Sequence, residues 1–138
     1  MRCVLWLALI AMLVVAEPAF AVQAYVVGHW YGEKQPSNPN VYWLATLAPD
    51  GTYSATFRWC FRRTARDAHE TGTWSLHSRR LEVITLTDNG RPAYQDDSYQ
   101  TQSYDGHKHV YRHDQTGFVF TAVRVDGKFV LPSCDLTS

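Results

Sequence analysis

The segment TYSATFRWCF, residues 52 to 61, alternates strictly between apolar or aromatic side chains and polar ones. One face carries Tyr53, Ala55, Phe57, Trp59 and Phe61, and the other carries Thr52, Ser54, Thr56, Arg58 and Cys60. A period of two is typical of a β-strand with one buried and one solvated face. We therefore predict that the aromatic face points into the core and that Cys60 lies outside.

Short extended runs separated by turn residues continue on both sides of this strand. The predicted strands are Ala24–Tyr31, Val41–Leu47, Thr52–Phe61, Gly72–Leu76, Leu81–Thr87, Ser98–Tyr104, His107–His113, Gly117–Val125 and Lys128–Leu131. Pro49-Asp50-Gly51, Asp105-Gly106 and Asp126-Gly127 are turn signals, and polar loops are expected at Glu33–Asn40, Arg62–His69 and Asp88–Asp97. This spacing favours an all-β barrel or sandwich, and we predict an antiparallel up-and-down barrel of about eight or nine strands.

The first 21 residues read as a secretory signal peptide. Arg2 precedes an apolar run, and Ala19 and Ala21 form an A-x-A cleavage site. Cleavage would leave residues 22 to 138 as a single β-barrel domain, located in the periplasm or secreted. The alternative is a retained membrane anchor, although the run is short for a membrane span, and no later segment is apolar enough to enter a membrane.

The net charge and the cysteines indicate which partners are disfavoured and which disulfide can form. Thirteen basic and thirteen acidic side chains give a formal net charge of zero, which argues against nucleic acid as the main partner. Cys3 falls in the signal segment, so Cys60 and Cys134 remain to form a disulfide in an oxidising compartment. That bond would fasten the C-terminal tail across the outside of the domain.

Two Gly-x-Trp motifs carry a family resemblance. Gly28-His29-Trp30, then Pro49-Asp50-Gly51-Thr52-Tyr53, then Gly72-Thr73-Trp74-Ser75-Leu76 and Leu81-Glu82-Val83, resemble the small exported lipocalin-like domains of bacteria over about residues 28 to 87. The resemblance implies a meandering barrel with an internal cavity and no particular ligand. Trp30 and Trp74 would each plug a barrel end, as core residues and not as ligand contacts.

Three histidines near the C-terminus are candidate metal ligands. His107, His109 and His113 share one face of a short predicted strand, and imidazole suits zinc or copper. No cysteine or carboxylate completes the set nearby, so the alternatives are a polar exposed face or, if the face turns inward, the lining of a ligand cavity.

A basic cluster lies beside the central strand. Arg58, Arg62, Arg63 and Arg66 could grip an anion or an acidic partner, or form a solvated loop balanced by Asp67 and Glu70. We favour the solvated loop, because charge runs in loops are usually solvated.

We predict that the domain sequesters a small apolar or amphipathic ligand inside the barrel, with a cavity of a few hundred Å³. The predicted wall residues are Trp43, Tyr53, Phe57, Trp59, Phe118 and Phe120. The alternative is a protein-interaction module, such as an inhibitor or immunity-type protein, with a filled core, an exposed aromatic or charged protrusion and loop-borne tyrosines at Tyr31 and Tyr94. No catalytic motif is present, so neither an enzyme nor a cofactor is expected.

Overall fold

The computed structural model describes residues 25 to 135. The predicted signal peptide, its cleavage site and the alternative membrane anchor therefore lie outside the described residues. Eight strands make up the domain: β1 Gly28–Gln35, β2 Asn38–Leu47, β3 Thr52–Phe61, β4 Thr64–His77, β5 Arg80–Asp88, β6 Arg91–Tyr104, β7 Lys108–His113 and β8 Val119–Val125. Within this range, no helix is long and apolar enough to cross a bilayer.

The strands form a closed antiparallel barrel in simple meander order. Each strand pairs with the next, and β8 returns to pair with β1 over His29 to Gly32. The all-β, up-and-down prediction is confirmed, with eight strands. We call the end at which β1 begins the tryptophan end and the end at which β1 finishes the far end.

Strand β3 carries the predicted alternation along most of its length. Ala55 is buried on the inner face, and its neighbours Tyr53 and Phe57 also face inward. Phe61 is the exception, with 63 % of its surface exposed. Phe61 is the last residue of β3 and lies beside the β3–β4 turn, where Arg62 adopts a positive φ of 56°. The strand ends here, so the side chain is at the edge of the core.

The polar loops predicted between strands are mostly strand. Residues 64 to 69 and 91 to 97 belong to β4 and β6, each 14 residues long, and β1 and β2 are joined by residues 36 and 37 alone. Asn89 and Gly90, both at positive φ, make a two-residue turn where a longer loop was expected. Backbone pairing with a neighbour extends these strands beyond their apolar stretch.

The C-terminal segment confirms one prediction and corrects another. The Cys60–Cys134 disulfide is present, with a Cα–Cα distance of 5.3 Å. Residues 128 to 131 are not a ninth strand. Because β8 is already paired with both β1 and β7, the closed barrel offers no edge for another strand.

This segment crosses the outside of the barrel. Phe129 packs on Tyr31 of β1 with ring centroids 4.7 Å apart. The Arg58 guanidinium on β3 donates to the carbonyl oxygens of Leu131 and Pro132, at 3.2 and 3.0 Å. The tail is thus fastened to β1 and to β3 before it reaches the disulfide.

Both motif tryptophans lie at the tryptophan end, and not at opposite ends. The Trp30 indole N–H donates to the carbonyl of Val26 at 2.8 Å, and that of Trp74 donates to Ala48 at 2.9 Å. These bonds satisfy the polar edge of each buried ring. Gly72 is needed two residues before Trp74, because a side chain there would collide with the backbone of Ile84.

Candidate functional site

A cavity of about 110 Å³ occupies the barrel interior. Aromatic side chains from six strands form much of its wall, and aliphatic side chains of β2 and β5 form most of the remainder. The lining residues are Val26, Trp30, Gln35, Trp43, Ala45, Leu47, Tyr53, Phe57, Leu81, Val83, Tyr99, His109, Tyr111 and Phe120. The cavity is smaller than the few hundred Å³ expected from the sequence, so it suits a molecule of about one ring.

Four of the six predicted wall residues line this cavity: Trp43, Tyr53, Phe57 and Phe120. Trp59 does not, although its ring lies 6.1 Å from that of Phe57. Phe118 does not line it either. It precedes β8 at the far end and is 38 % exposed.

The aromatic wall is held by ring-to-ring contacts. Tyr111 stacks on Phe120 at 5.7 Å, and Trp43 meets the same Phe120 edge-on at 6.0 Å. Gly32 on β1 is required here, because a Cβ at that position would overlap the Trp43 ring. The Trp43 ring therefore lies close against the β1 backbone at Gly32.

The floor of the cavity, at the tryptophan end, is Trp30 with His109. Trp30 was expected only as a core residue, yet it lines the cavity. The Arg124 guanidinium lies 4.4 Å from the Trp30 ring centroid. It also donates to the carbonyls of Val27 and Tyr25, at 2.6 and 2.8 Å, so it closes this end beneath the indole.

His109 is a buried, neutral histidine in the cavity wall. It is 3 % exposed, and its Nε2 shares a 3.0 Å hydrogen bond with the Thr101 hydroxyl, which in turn meets the Tyr25 hydroxyl at 3.2 Å. Burial lowers the pKa of His109 to about 4, and the nearby Arg124 charge contributes. At neutral pH the cavity therefore presents an uncharged imidazole.

A carboxyl group on β4 lies next to the cavity wall, in contact with the lining residue Tyr53. Glu70 on β4 pairs with Ala55 of β3, so its side chain faces the interior. Its Oε2 accepts from the hydroxyls of Tyr53 and Thr85, both at 3.4 Å. Burial raises the pKa of Glu70, and the charges of Asp88 and Asp97 raise it further.

The basic cluster is not the charge partner that the sequence suggested for Glu70. Arg58 forms a two-point ion pair with Asp67 instead, with both N···O distances at 2.8 Å. Arg62, Arg63 and Arg66 are exposed at the β3–β4 turn and the start of β4, as a solvated loop would be.

The three candidate metal-binding histidines have different surroundings. His107 lies in the turn before β7, His109 lies in the wall, and His113 bonds Asp97 at 2.9 Å and Thr116 at 2.8 Å. Among residues 25 to 135, no three histidine, cysteine or acidic side chains gather as a metal site would require. Of the alternatives left open, the cavity lining applies to His109.

Glu70, Tyr99 and Tyr111 were missed as site residues. Extending the alternation of Trp74 and Leu76 backwards through Gly72 would have placed Glu70 inside. Searches for related proteins found no family model and no curated protein that matches this chain. The barrel and its cavity are therefore the features of this chain that point to a function.

Proposed function

We propose that this protein is an exported, lipocalin-like binding domain that sequesters a small apolar or amphipathic molecule in its barrel. One observation carries the proposal: a cavity of about 110 Å³, walled by aromatic rings, inside a closed eight-stranded barrel. Aromatic walls bind apolar ligands by burying area and by ring stacking. The Cys60–Cys134 bond supports export, because such bonds persist in oxidising compartments.

The cavity size sets the size of the ligand. An apolar cavity of roughly 150 Å³ can bind benzene, and the present cavity is about three quarters as large. A single ring is therefore the largest ligand expected without movement of the wall, and a short substituent requires wall side chains to shift. Gln35, the tyrosine hydroxyls and His109 give such a ligand polar groups to meet.

Benzyl alcohol is a suitable first probe, titrated against the mature domain and followed by tryptophan fluorescence and ligand-observed NMR. We expect saturable binding with a Kd of about 1 mM or tighter, which corresponds to roughly 4 kcal/mol. Native mass spectrometry of the protein from its own host would then show whether a small molecule co-purifies.

A pair of variants tests whether binding occurs in the cavity. Ala45→Leu adds volume at a cavity-lining position, whereas Ala65→Leu makes the same change on the exposed outer face of β4. Binding should be lost in the first variant and retained in the second. Equal binding by both, or none by the unchanged protein, would contradict the proposal.

A protein-interaction module is the second candidate, and one surface favours it. Large apolar side chains are exposed around the far end of the barrel, namely Phe61, Leu86, Tyr94, Phe118 and Val119. Exposed aromatic groups of this kind are typical of protein contacts. A protein that co-purifies from the host, and that Tyr94→Ser releases, would favour this function over the carrier.

A further inference from the structure

Glu70 has no cationic partner in the part of the chain that the structure describes. The ion pairs among residues 25 to 135 join Arg58 to Asp67 and Arg80 to Asp114, and His113 contacts Asp97. Asp97, one of the two aspartates whose charges raise the pKa of Glu70, is hydrogen-bonded to His113. The charges that act on Glu70 come from further carboxylates. Glu70 is thus a partly buried carboxyl group with no cationic partner among these residues.

The two hydrogen bonds to Glu70 are long and leave acceptor positions of its carboxyl group unused. Both come from neutral hydroxyls, those of Tyr53 and Thr85, and both are long at 3.4 Å. Both reach the same oxygen, Oε2. An ionised carboxylate has about four acceptor positions, and charge-assisted bonds are normally shorter than these. The site can therefore accept a stronger donor.

The carboxylate is one hydrogen bond away from the aromatic cavity. Tyr53 donates to Glu70, and the ring of Tyr53 lines the cavity. Tyr99 and Tyr111 line the same cavity, with their ring centroids 5.3 Å apart. Electron-rich ring faces attract a cation, and desolvation strengthens that attraction. Aromatic faces and an uncompensated carboxylate thus act in the same direction.

We infer that the cavity ligand is a small cyclic amine or ammonium compound, with its ring among the cavity aromatics and its cationic group directed to the Glu70 carboxylate. This inference rests on the proposed carrier function and names the ligand class. An ammonium group would replace the long hydroxyl contacts with a charge-assisted hydrogen bond. It would also favour the ionised form of Glu70, which burial and the nearby carboxylates disfavour.

Benzylamine and benzyl alcohol test the inference, because they are similar in size and differ in charge at neutral pH. We expect the unchanged protein to bind benzylamine about tenfold more tightly. Glu70→Gln should remove that preference without weakening benzyl alcohol binding. Glu82→Gln, the same substitution on the outer face of β5, should retain it.

The outcomes separate the two proposals. If both compounds bind equally, or if the preference survives Glu70→Gln, the amine inference is wrong and the carrier function stands. If neither compound binds to the unchanged protein, the carrier function fails, and the amine inference fails with it. Should Glu70→Gln fold poorly, Glu70→Ala, which removes the carboxylate without adding an amide, should likewise abolish the preference, and a preference that survives in it would overturn the inference.

Discussion

Acidification should destabilise this protein through His109. The side chain is buried in the cavity wall, and its pKa in the folded state is about 4 against an ordinary 6.5. In the unfolded chain the imidazole takes up a proton near pH 6.5, while in the folded protein it resists until about pH 4. The unfolded state therefore binds more protons in this window, so the free energy of unfolding falls as the pH falls through it.

These two pKa values give the size of the effect. Between pH 7.5 and pH 5.0, His109 should cost about 2 kcal/mol of stability, and the loss should level off below about pH 4. Most carboxylates are still ionised at pH 5.0, so their contribution is small there.

Urea denaturation followed by tryptophan fluorescence, at pH 7.5 and at pH 5.0, measures the loss. His109→Gln should be less stable than the unchanged protein at neutral pH, yet should lose about 2 kcal/mol less on acidification. His77→Gln, a change at an exposed position, should show the full loss. An equal pH dependence in the unchanged protein and His109→Gln would refute this account of a buried neutral imidazole.

Three further substitutions test the framework by urea denaturation. Replacing Cys60 and Cys134 with serine should lower the free energy of unfolding by about 4 kcal/mol, because the bond closes a loop with a sequence separation of 74. A loss under about 1 kcal/mol would contradict a stabilising role for the disulfide. Gly32→Ala should push the Trp43 ring aside and cost about 1–3 kcal/mol, with a changed near-ultraviolet dichroism; an unchanged spectrum would refute the close contact. Arg124→Lys should cost about 2 kcal/mol by leaving a backbone carbonyl without its donor, and equal stability would show that water replaces it.

The sequence predicted the fold correctly where a single strand shows alternating apolar and polar side chains. The alternation in residues 52 to 61 identifies β3, its inner face and the outward position of Cys60, because a strand with one buried face imposes period two locally. Strand ends were harder to predict. Residues 64 to 69 have no apolar face, and they extend because β3 supplies backbone partners at every step. Pairing between strands is a tertiary property that a single polar segment does not reveal.

The candidate site was only half predictable for the same reason. Trp43 and Phe57 could be found because aromatic residues at alternating positions favour an interior. Glu70 was interpreted as a solvated counter-ion of the arginines, since a carboxylate in a charged segment usually is one. Its inward position is visible in the sequence only if the alternation of Trp74 and Leu76 is extended backwards into the charged segment, and the pairing with Ala55 establishes it.

The residues that stabilise the barrel and the residue proposed to bind the ligand have different hydrogen-bond partners. At the tryptophan end, Arg124 and the indole of Trp30 satisfy backbone carbonyls and so leave little capacity for a ligand. Glu70, by contrast, has only neutral donors and no counter-charge among the described residues.

Because substitutions at separate sites without shared partners act nearly independently, Arg124→Lys should lower stability without changing the preference for an amine. Glu70→Gln should change that preference at little cost in stability, since replacing an uncompensated, partly buried charge with an amide removes a desolvation penalty. A preference that moved with stability in both variants would mean that the carboxylate acts through the fold and not on the ligand.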